Sequence, residues 1–276
     1  MKNNSQSSKE QTSEPVRKPY LTGSITDENT LKAGLGFFGI MLITIFVAFI
    51  VCAAATFNSF ILRLLMNTAV IIVLLMIFYN KGAGRGAEAV ARGEILYQRR
   101  EKGLEYSESE KKICYHPLKG YLTGLIGTVP FLIAAVILAL FTSVQMTDAG
   151  VLPSWMQAYV GRSDIGNALV HYTQPEGMGF LDYVRTVVRI CILPYVNIVN
   201  FNNRTGMVLL ERLSPLLLLL PAAAYGTGYL RGKKVRTQIH TMIKTNEQKR
   251  IRREEKRRKK NARNNTPRSR EPEQLN

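Results

Sequence analysis

Cysteine and histidine are both scarce in this chain, with three of each among 276 residues. Cys52, Cys114 and Cys191 lie in separate segments, and an odd, widely spaced set argues against a disulfide framework and a cysteine-based metal site. The histidines are equally dispersed, so the sequence offers no group of neighbouring metal ligands. We therefore predict no metal site and expect the cysteines to pack in the interior.

Motifs that carry catalysis are also lacking. The sequence holds no Ser/His/Asp set, no H-E-x-x-H and no phosphate-binding P-loop. Residues 84–89 imitate the G-x-G-x-x-A dinucleotide fingerprint, but an apolar helix precedes them and no βαβ unit follows, as the motif requires. We predict that the protein is not an enzyme, with no catalytic residues, no cofactor-binding residues and no cofactor.

Charge is absent from long stretches of the chain. A helix of about 20 apolar residues crosses the hydrocarbon core of a bilayer at ~1.5 Å per residue. In the second apolar run, Arg63 is expected to extend its head group to the interface. The apolar runs predict an integral membrane protein with four spans, at 33–55, 60–79, 121–144 and 208–230.

The remaining segments are strongly basic, and the chain has a formal net charge of +17. Residues 80–120 hold nine Lys/Arg against six Glu, and the tail after Leu230 holds seventeen Lys/Arg against five Glu. Because Lys and Arg near span ends resist translocation, both segments are predicted to be cytoplasmic. An even number of crossings must then separate them. Because two spans also precede the central loop, the N-terminus lies on the same side, which predicts a cell-membrane protein with both termini in the cytoplasm.

Local signals predict helices within the central loop. A glycine-rich stretch at 82–86 suggests a flexible exit from the second span. A helix should follow over 87–102, with Gly103 just past its end. Ser107 and Glu110 fit a capping box that opens a second short helix.

The predicted fold is an all-α integral membrane protein with four transmembrane helices in two hairpins. A cytoplasmic helical hairpin separates spans 2 and 3, an amphipathic helix lies on the outer side, and a disordered basic tail ends the chain, its first part favouring a helix to about Lys260. The predicted regions are a disordered cytoplasmic leader (1–32), a transmembrane hairpin (33–79), the cytoplasmic loop (80–120), spans 3 and 4 with an outer loop at 145–180 and the amphipathic helix at 182–200 (121–230), and the polybasic tail (231–276).

Residues 182–200 are apolar enough to suggest a further span, but their polar side chains share one face. At about 100° per residue this polar stripe collects Asp182, Arg185, Arg189, Asn197 and Asn200. Two arginines at mid-depth in lipid would cost at least ~2.5 kcal/mol each. We favour a helix lying at the outer interface with hydrated arginines, which predicts that either arginine can be replaced by leucine. The alternative is a re-entrant wall of a polar cavity, in which Arg185 and Arg189 bind an anion or pair with Asp182.

Clustered basic residues are candidate contacts to lipid or to a partner. Such clusters bind the anionic inner leaflet at about 1 kcal/mol per residue, and they also suit an acidic protein or the ribosome. No aromatic residue follows Tyr229, so base stacking is not expected and we predict no sequence-specific nucleic-acid recognition. The candidate contacts are Arg99, Arg100, Lys102, Arg252, Arg253, Arg257, Arg258, Lys259 and Lys260.

Together these features predict a non-catalytic multi-pass membrane component. It would serve as a scaffold or accessory subunit, engaging anionic lipid or an acidic cytoplasmic partner through its basic loop and tail. The alternative is a transporter or membrane-insertion component with a polar groove lined by Arg185 and Arg189.

Overall fold

The structure, a computed structural model, describes residues 17–54, 57, 59–142, 152–166, 168–169, 179–200 and 203–265. Within these ranges the chain forms helices and no strand. The helices are α1 (Thr30–Ala54), α2 (Phe60–Glu101), α3 (Glu108–Ile113), α4 (Lys119–Phe141), α5 (Ser154–Gln157), α6 (Phe180–Cys191), α7 (Leu193–Val199) and α8 (Arg204–Asn265). Four of them, α1, α2, α4 and α8, are long and apolar enough to cross a membrane. The all-helical class and the four candidate spans are therefore confirmed.

Two of these helices are much longer than a bilayer requires. α2 has 42 residues and α8 has 62, whereas about 20 residues cross the hydrocarbon core. The flexible exit predicted at 82–86 is wrong, because α2 continues through the glycines without a break. A Cβ atom at Gly82 or Gly86 would collide with the backbone of α8. Close packing thus offsets the helix propensity that each glycine loses, about 1 kcal/mol relative to alanine.

α2 and α8 run parallel, and their contacting positions advance together along both helices. Gly86 lies against Gly232, and further along Glu94 contacts His240, 146 residues later in the chain. The charged extensions of the two helices therefore lie side by side at the same end of the bundle.

The long helices do not pack in the order in which they follow one another. α8 packs most extensively on α2 and α4, and α1 lies on α4, while α1 and α2 make little contact. The first predicted hairpin, 33–79, is consequently not a packed unit. Phe37 of α1 joins the helices by contacting the rings of Phe78 at 5.3 Å and Tyr225 at 5.1 Å.

Two segments that were predicted to be disordered are ordered in part. In the leader, the amide of Leu21 donates to the Gly93 carbonyl at 3.1 Å and that of Gly23 to the Tyr115 carbonyl at 3.0 Å. The prediction is wrong for residues 17–32, because these backbone groups find partners on the folded part of the chain. The tail is helical as far as Asn265, slightly beyond the end predicted at about Lys260, since no glycine or proline interrupts 233–265. Residues 1–16 and 266–276 lie outside the described residues.

The turn between α2 and α3 follows the local signals. Gly103, just past the end of α2, has a φ of +71°, a conformation that glycine adopts without strain. The amide of Ser109 donates to Ser107 Oγ at 3.4 Å, and Glu110 Oε2 accepts from the Ser107 amide at 3.2 Å. The capping box is confirmed.

The predicted outer loop, 145–180, is described only in part. It contains α5, in which Trp155 is exposed. Residues 143–151, 167 and 170–178 lie outside the described residues.

Candidate functional site

The segment predicted as one amphipathic helix, 182–200, forms two helices. α6 ends at Cys191 and α7 begins at Leu193, with Pro194 in the first turn of α7. Proline has no amide hydrogen and its ring clashes inside an unbroken helix, so the first turn is where it fits. Asn200 ends α7 with a φ of +73°.

α6 turns its polar stripe towards the protein and an apolar face outwards. The Arg185 side chain is only 8% exposed, whereas Phe180, Tyr183 and Val187 are exposed. A helix resting on the membrane surface would show the opposite arrangement, with its charges in water and its apolar face buried. The favoured interpretation of hydrated arginines therefore does not describe Arg185.

The carboxylate of Glu211, near the start of α8, contacts both arginines of the polar stripe on α6. Its Oε1 lies 2.6 Å from Arg189 Nη2 and 3.4 Å from Arg185 Nε. Arg189 Nε also donates to Oε1 at 2.8 Å, and the Thr142 hydroxyl, just after α4, donates to Oε2. Glu211 is almost fully buried, so a single carboxylate joins α4, α6 and α8.

The charges in this cluster balance in number, with Arg185 and Glu211 buried and Asp182 and Arg189 partly exposed. Arg185 Nη1 also donates to Asp182 Oδ1 at 3.0 Å, which matches two arginines with two carboxylates. Removing one member of such a set leaves a charge unpaired in a poorly hydrated place, at a typical cost of about 3–5 kcal/mol. The cluster is thus a strong link between α6 and α8.

Sequence reasoning paired Arg185 with Asp182 and missed Glu211. The signal was present, because Glu211 falls within the span predicted at 208–230. An ionisable residue in a membrane span needs a partner, and the two arginines of the stripe are among the cations predicted on the outer side.

The other end of the stripe serves a different contact. Asn197 Nδ2 lies 3.4 Å from both the Cys52 carbonyl and Asn67 Oδ1. Asn67 Nδ2 in turn donates to the Arg63 carbonyl at 2.8 Å. Asn197 therefore ties α7 to α1 and α2, away from the Glu211 cluster.

A second buried carboxylate lies on the opposite side of the bundle, where α2 and α8 extend beyond their apolar segments. Glu94 of α2 is buried, and its Oε2 accepts from Arg236 Nε at 2.9 Å. His240 Nε2 is 2.9 Å from both oxygens of the same carboxylate. This contact fixes the register of the two extensions.

Beyond this contact α8 continues as a basic helix, residues 247–261, which we name the basic arm. Every residue of the arm is exposed. At about 100° per residue, Arg258 shares one half of the helix with the acidic residues Glu247, Glu254 and Glu255. The other half collects eight basic residues: Lys249, Arg250, Arg252, Arg253, Lys256, Arg257, Lys259 and Lys260.

The remaining basic candidates lie at the end of α2. Arg99 and Arg100 occupy its last turn and Lys102 follows as the C-cap. Arg99 Nη1 lies 3.5 Å from Glu110 of α3 in an exposed ion pair. Glu94 and His240 are 146 residues apart, so with the two helices parallel the end of α2 is level with about residue 247. The basic arm therefore projects past the α2 candidates.

Near the base of these extensions, an ion pair and the edge-to-face contact of Tyr20 with Tyr115 hold the leader in place. Lys119 Nζ lies 2.6 Å from Asp27 Oδ2 in a buried ion pair. Burial raises the pKa of Asp27, but the hydrogen bonds from Lys119 and Thr30 outweigh it and the pKa is lowered. Burial raises the pKa of the Tyr115 phenol to about 12, and it also raises the pKa of the Cys114 thiol.

Among the residues that the structure describes, no group of three or more His, Cys, Asp or Glu side chains could hold a metal ion. In comparisons with protein-family models, curated proteins and solved structures, the chain matches none of them.

Proposed function

We propose that the protein is a non-catalytic multi-pass membrane component that holds an acidic cytoplasmic partner on its basic arm. The observation that carries this proposal is the continuity of α8, which passes without a break from its apolar segment into the arm. A charged surface on a rigid helix is presented at a fixed distance from the bilayer and in a fixed direction.

The charge distribution favours a cytoplasmic position for the arm. The tail holds seventeen Lys/Arg and the central loop nine, and basic residues near span ends resist translocation. The Glu94–His240 contact brings both segments to the same end of the bundle, so a single orientation satisfies the rule for both.

Distance favours a protein partner over the lipid of the surrounding bilayer. Arg250 follows Leu230, the last residue of the apolar segment, by twenty positions, or about 30 Å of helix. Even at a helix tilt of about 40° it would stand roughly 23 Å from the interface. Charges are screened over about 8–10 Å at physiological salt. The arm is thus out of reach of the headgroups, which are better placed to meet residues near Leu230.

The alternative of a transporter or insertion component finds less support. It requires Arg185 and Arg189 to line an open polar groove. Both arginines instead contact Glu211, in a cluster that pairs two arginines with two carboxylates. A scaffold or accessory subunit is the function that this arrangement favours.

The proposal can be tested with purified full-length protein in nanodiscs of neutral lipid. Labelled poly-L-glutamate serves as the acidic probe, and fluorescence anisotropy measures its binding. Arg253→Gln removes a charge from the basic half of the arm and should weaken binding about fivefold, equivalent to roughly 1 kcal/mol. Arg258→Gln removes the same charge from the acidic half and is the matched control, with an expected change of less than about twofold.

Truncation after Asn246 should weaken probe binding far more than either single substitution while leaving the spans inserted. Equal losses from Arg253→Gln and Arg258→Gln would show that overall charge, and not the arm's basic half, attracts the probe. Binding of an RNA homopolymer in place of poly-L-glutamate would also overturn the proposal of an acidic protein partner.

A further inference from the structure

A groove of about 1040 Å³ lies where the leader, α2 and α8 meet, next to the Glu94–His240 contact. Its volume is at the upper end of those of small-molecule sites, which span roughly 300–1,000 Å³. Six cationic side chains line it: Arg17, Lys18, Lys233, Lys234, Arg236 and Lys249.

The one carboxylate known to line the groove is already paired with basic side chains of the protein. Among the described residues that line the groove, only Glu94 is acidic. It is buried and paired with Arg236 and His240 at 2.9 Å each. The structure records no ion pair for the described lysines Lys234 and Lys249. The lining therefore keeps a net positive charge that the protein itself does not neutralise.

One lysine is held against an aromatic wall. Lys233 Nζ lies 4.7 Å from the ring centroid of Tyr115 and 5.6 Å from that of Tyr20, and Tyr20 itself lines the groove beside Val90. The groove thus combines cations with an apolar surface. This combination suits a ligand that has an anionic group attached to a less polar body.

We propose that the groove binds a phosphate-bearing ligand, with a monoester or diphosphate as the recognised group. Lys233 and Lys234 follow Leu230 by three and four positions, about 5–6 Å of helix. The groove therefore begins at the depth of lipid headgroups and opens towards Lys249, above them. The phosphate can arrive on a lipid headgroup or on a free compound. Lys249 belongs both to this groove and to the basic half of the arm, and the other residues that line the groove lie outside the arm.

The test removes groove charges without disturbing packing. Lys234 and Lys249 are both exposed, so the double variant K234Q/K249Q should fold normally. The matched control K256Q/K259Q removes two lysines from the arm outside the groove. Calorimetric titration of inorganic pyrophosphate into protein in neutral nanodiscs should show binding that K234Q/K249Q weakens at least about tenfold, because one lysine loses a charge-assisted contact and the other no longer adds to the positive potential of the groove. The control should change it less than about twofold.

A second measurement separates the two sources of phosphate. Nanodiscs that contain phosphatidic acid, with no soluble phosphate, should raise the thermal midpoint of the wild type and of K256Q/K259Q but not that of K234Q/K249Q if a lipid is bound. If only pyrophosphate binding is lost in K234Q/K249Q and kept in the control, the ligand is a free compound. If the effect of phosphatidic acid is lost in the same way, the ligand is a lipid. The proposal is overturned if K234Q/K249Q changes neither the affinity for pyrophosphate nor the thermal shift caused by phosphatidic acid. It is also overturned if K234Q/K249Q and K256Q/K259Q lose binding equally.

Discussion

The Glu211 carboxylate forms ion pairs with Arg185 and Arg189 of α6 and accepts a hydrogen bond from the Thr142 hydroxyl. These three side chains precede it in sequence by 22 to 69 positions. The pairing removes the reason to expect that the arginines tolerate leucine. That expectation rested on hydrated side chains, and the Arg185 side chain is 8% exposed.

We predict that Glu211→Gln lowers the stability of the protein by about 3–5 kcal/mol, because it leaves the buried Arg185 and the half-buried Arg189 with only Asp182 as a carboxylate partner. The thermal midpoint of the purified protein in detergent measures this loss. Asp164→Asn is the control, since its pair with Arg162 is exposed on both sides and such pairs are worth about 0–1 kcal/mol.

A double substitution tests the pairing itself. Glu211→Gln with Arg189→Gln should cost less than the sum of the two single changes, because the second removes a charge that the first left unpaired. Additive costs, or a Glu211→Gln effect as small as that of Asp164→Asn, would contradict the assigned role.

At the level of helices, the interface of α2 and α8 depends on glycines spaced four apart on both sides. Gly82 and Gly86 of α2 meet the backbone of α8, and Gly228 and Gly232 of α8 meet that of α2. Small residues at this spacing let helix backbones approach closely. Gly84, between the first pair, has nothing within 4 Å of where its Cβ would lie.

This difference predicts opposite effects for the same substitution at neighbouring glycines. Gly86→Ala should destabilise the protein by about 1–3 kcal/mol, because the new methyl group collides with the backbone at Tyr229. Gly84→Ala should stabilise it by about 0.5–1 kcal/mol through helix propensity. Thermal midpoints of the two variants decide the matter. Equal shifts would mean that the stretch at 82–86 is not packed against α8.

For the whole molecule, the basic loop and tail predict which end of the bundle faces the cytoplasm. A cysteine test suggests itself, but native Cys114 is fully buried, and burial also raises the pKa of its thiol. Because the thiolate is the reactive form, Cys114 is a poor reporter. Exposed positions at the two ends of the bundle are better choices.

We predict that a cysteine introduced as Ser154→Cys in α5 reacts with a membrane-impermeant thiol reagent in intact cells, in a background without native cysteines. Ser109→Cys, an equally exposed position in α3, should react only after the cells are permeabilised, because its loop holds nine basic residues. Labelling of Ser109→Cys in intact cells would reverse the orientation and with it the cytoplasmic position of the basic arm.

The positions of most long helices can be predicted from residues that are close in sequence. Charge-free runs place the four long apolar helices, since span length depends only on hydropathy and helix rise. The box formed by Ser107 and Glu110 and the turn at Gly103 are equally local. The class of the protein, and its lack of recognisable catalytic motifs, can therefore be read along the chain.

The candidate sites depend on partners that are distant in sequence. Local rules assign Gly82 and Gly86 to a flexible exit, whereas contact with α8 makes them part of a continuous helix. Amphipathicity gives the direction of Arg185 within its helix but not whether that direction leads to water or to Glu211. The physical reason is that burial and pairing are decided by which helix faces which, so only the tertiary structure turned a predicted surface stripe into a buried ion cluster.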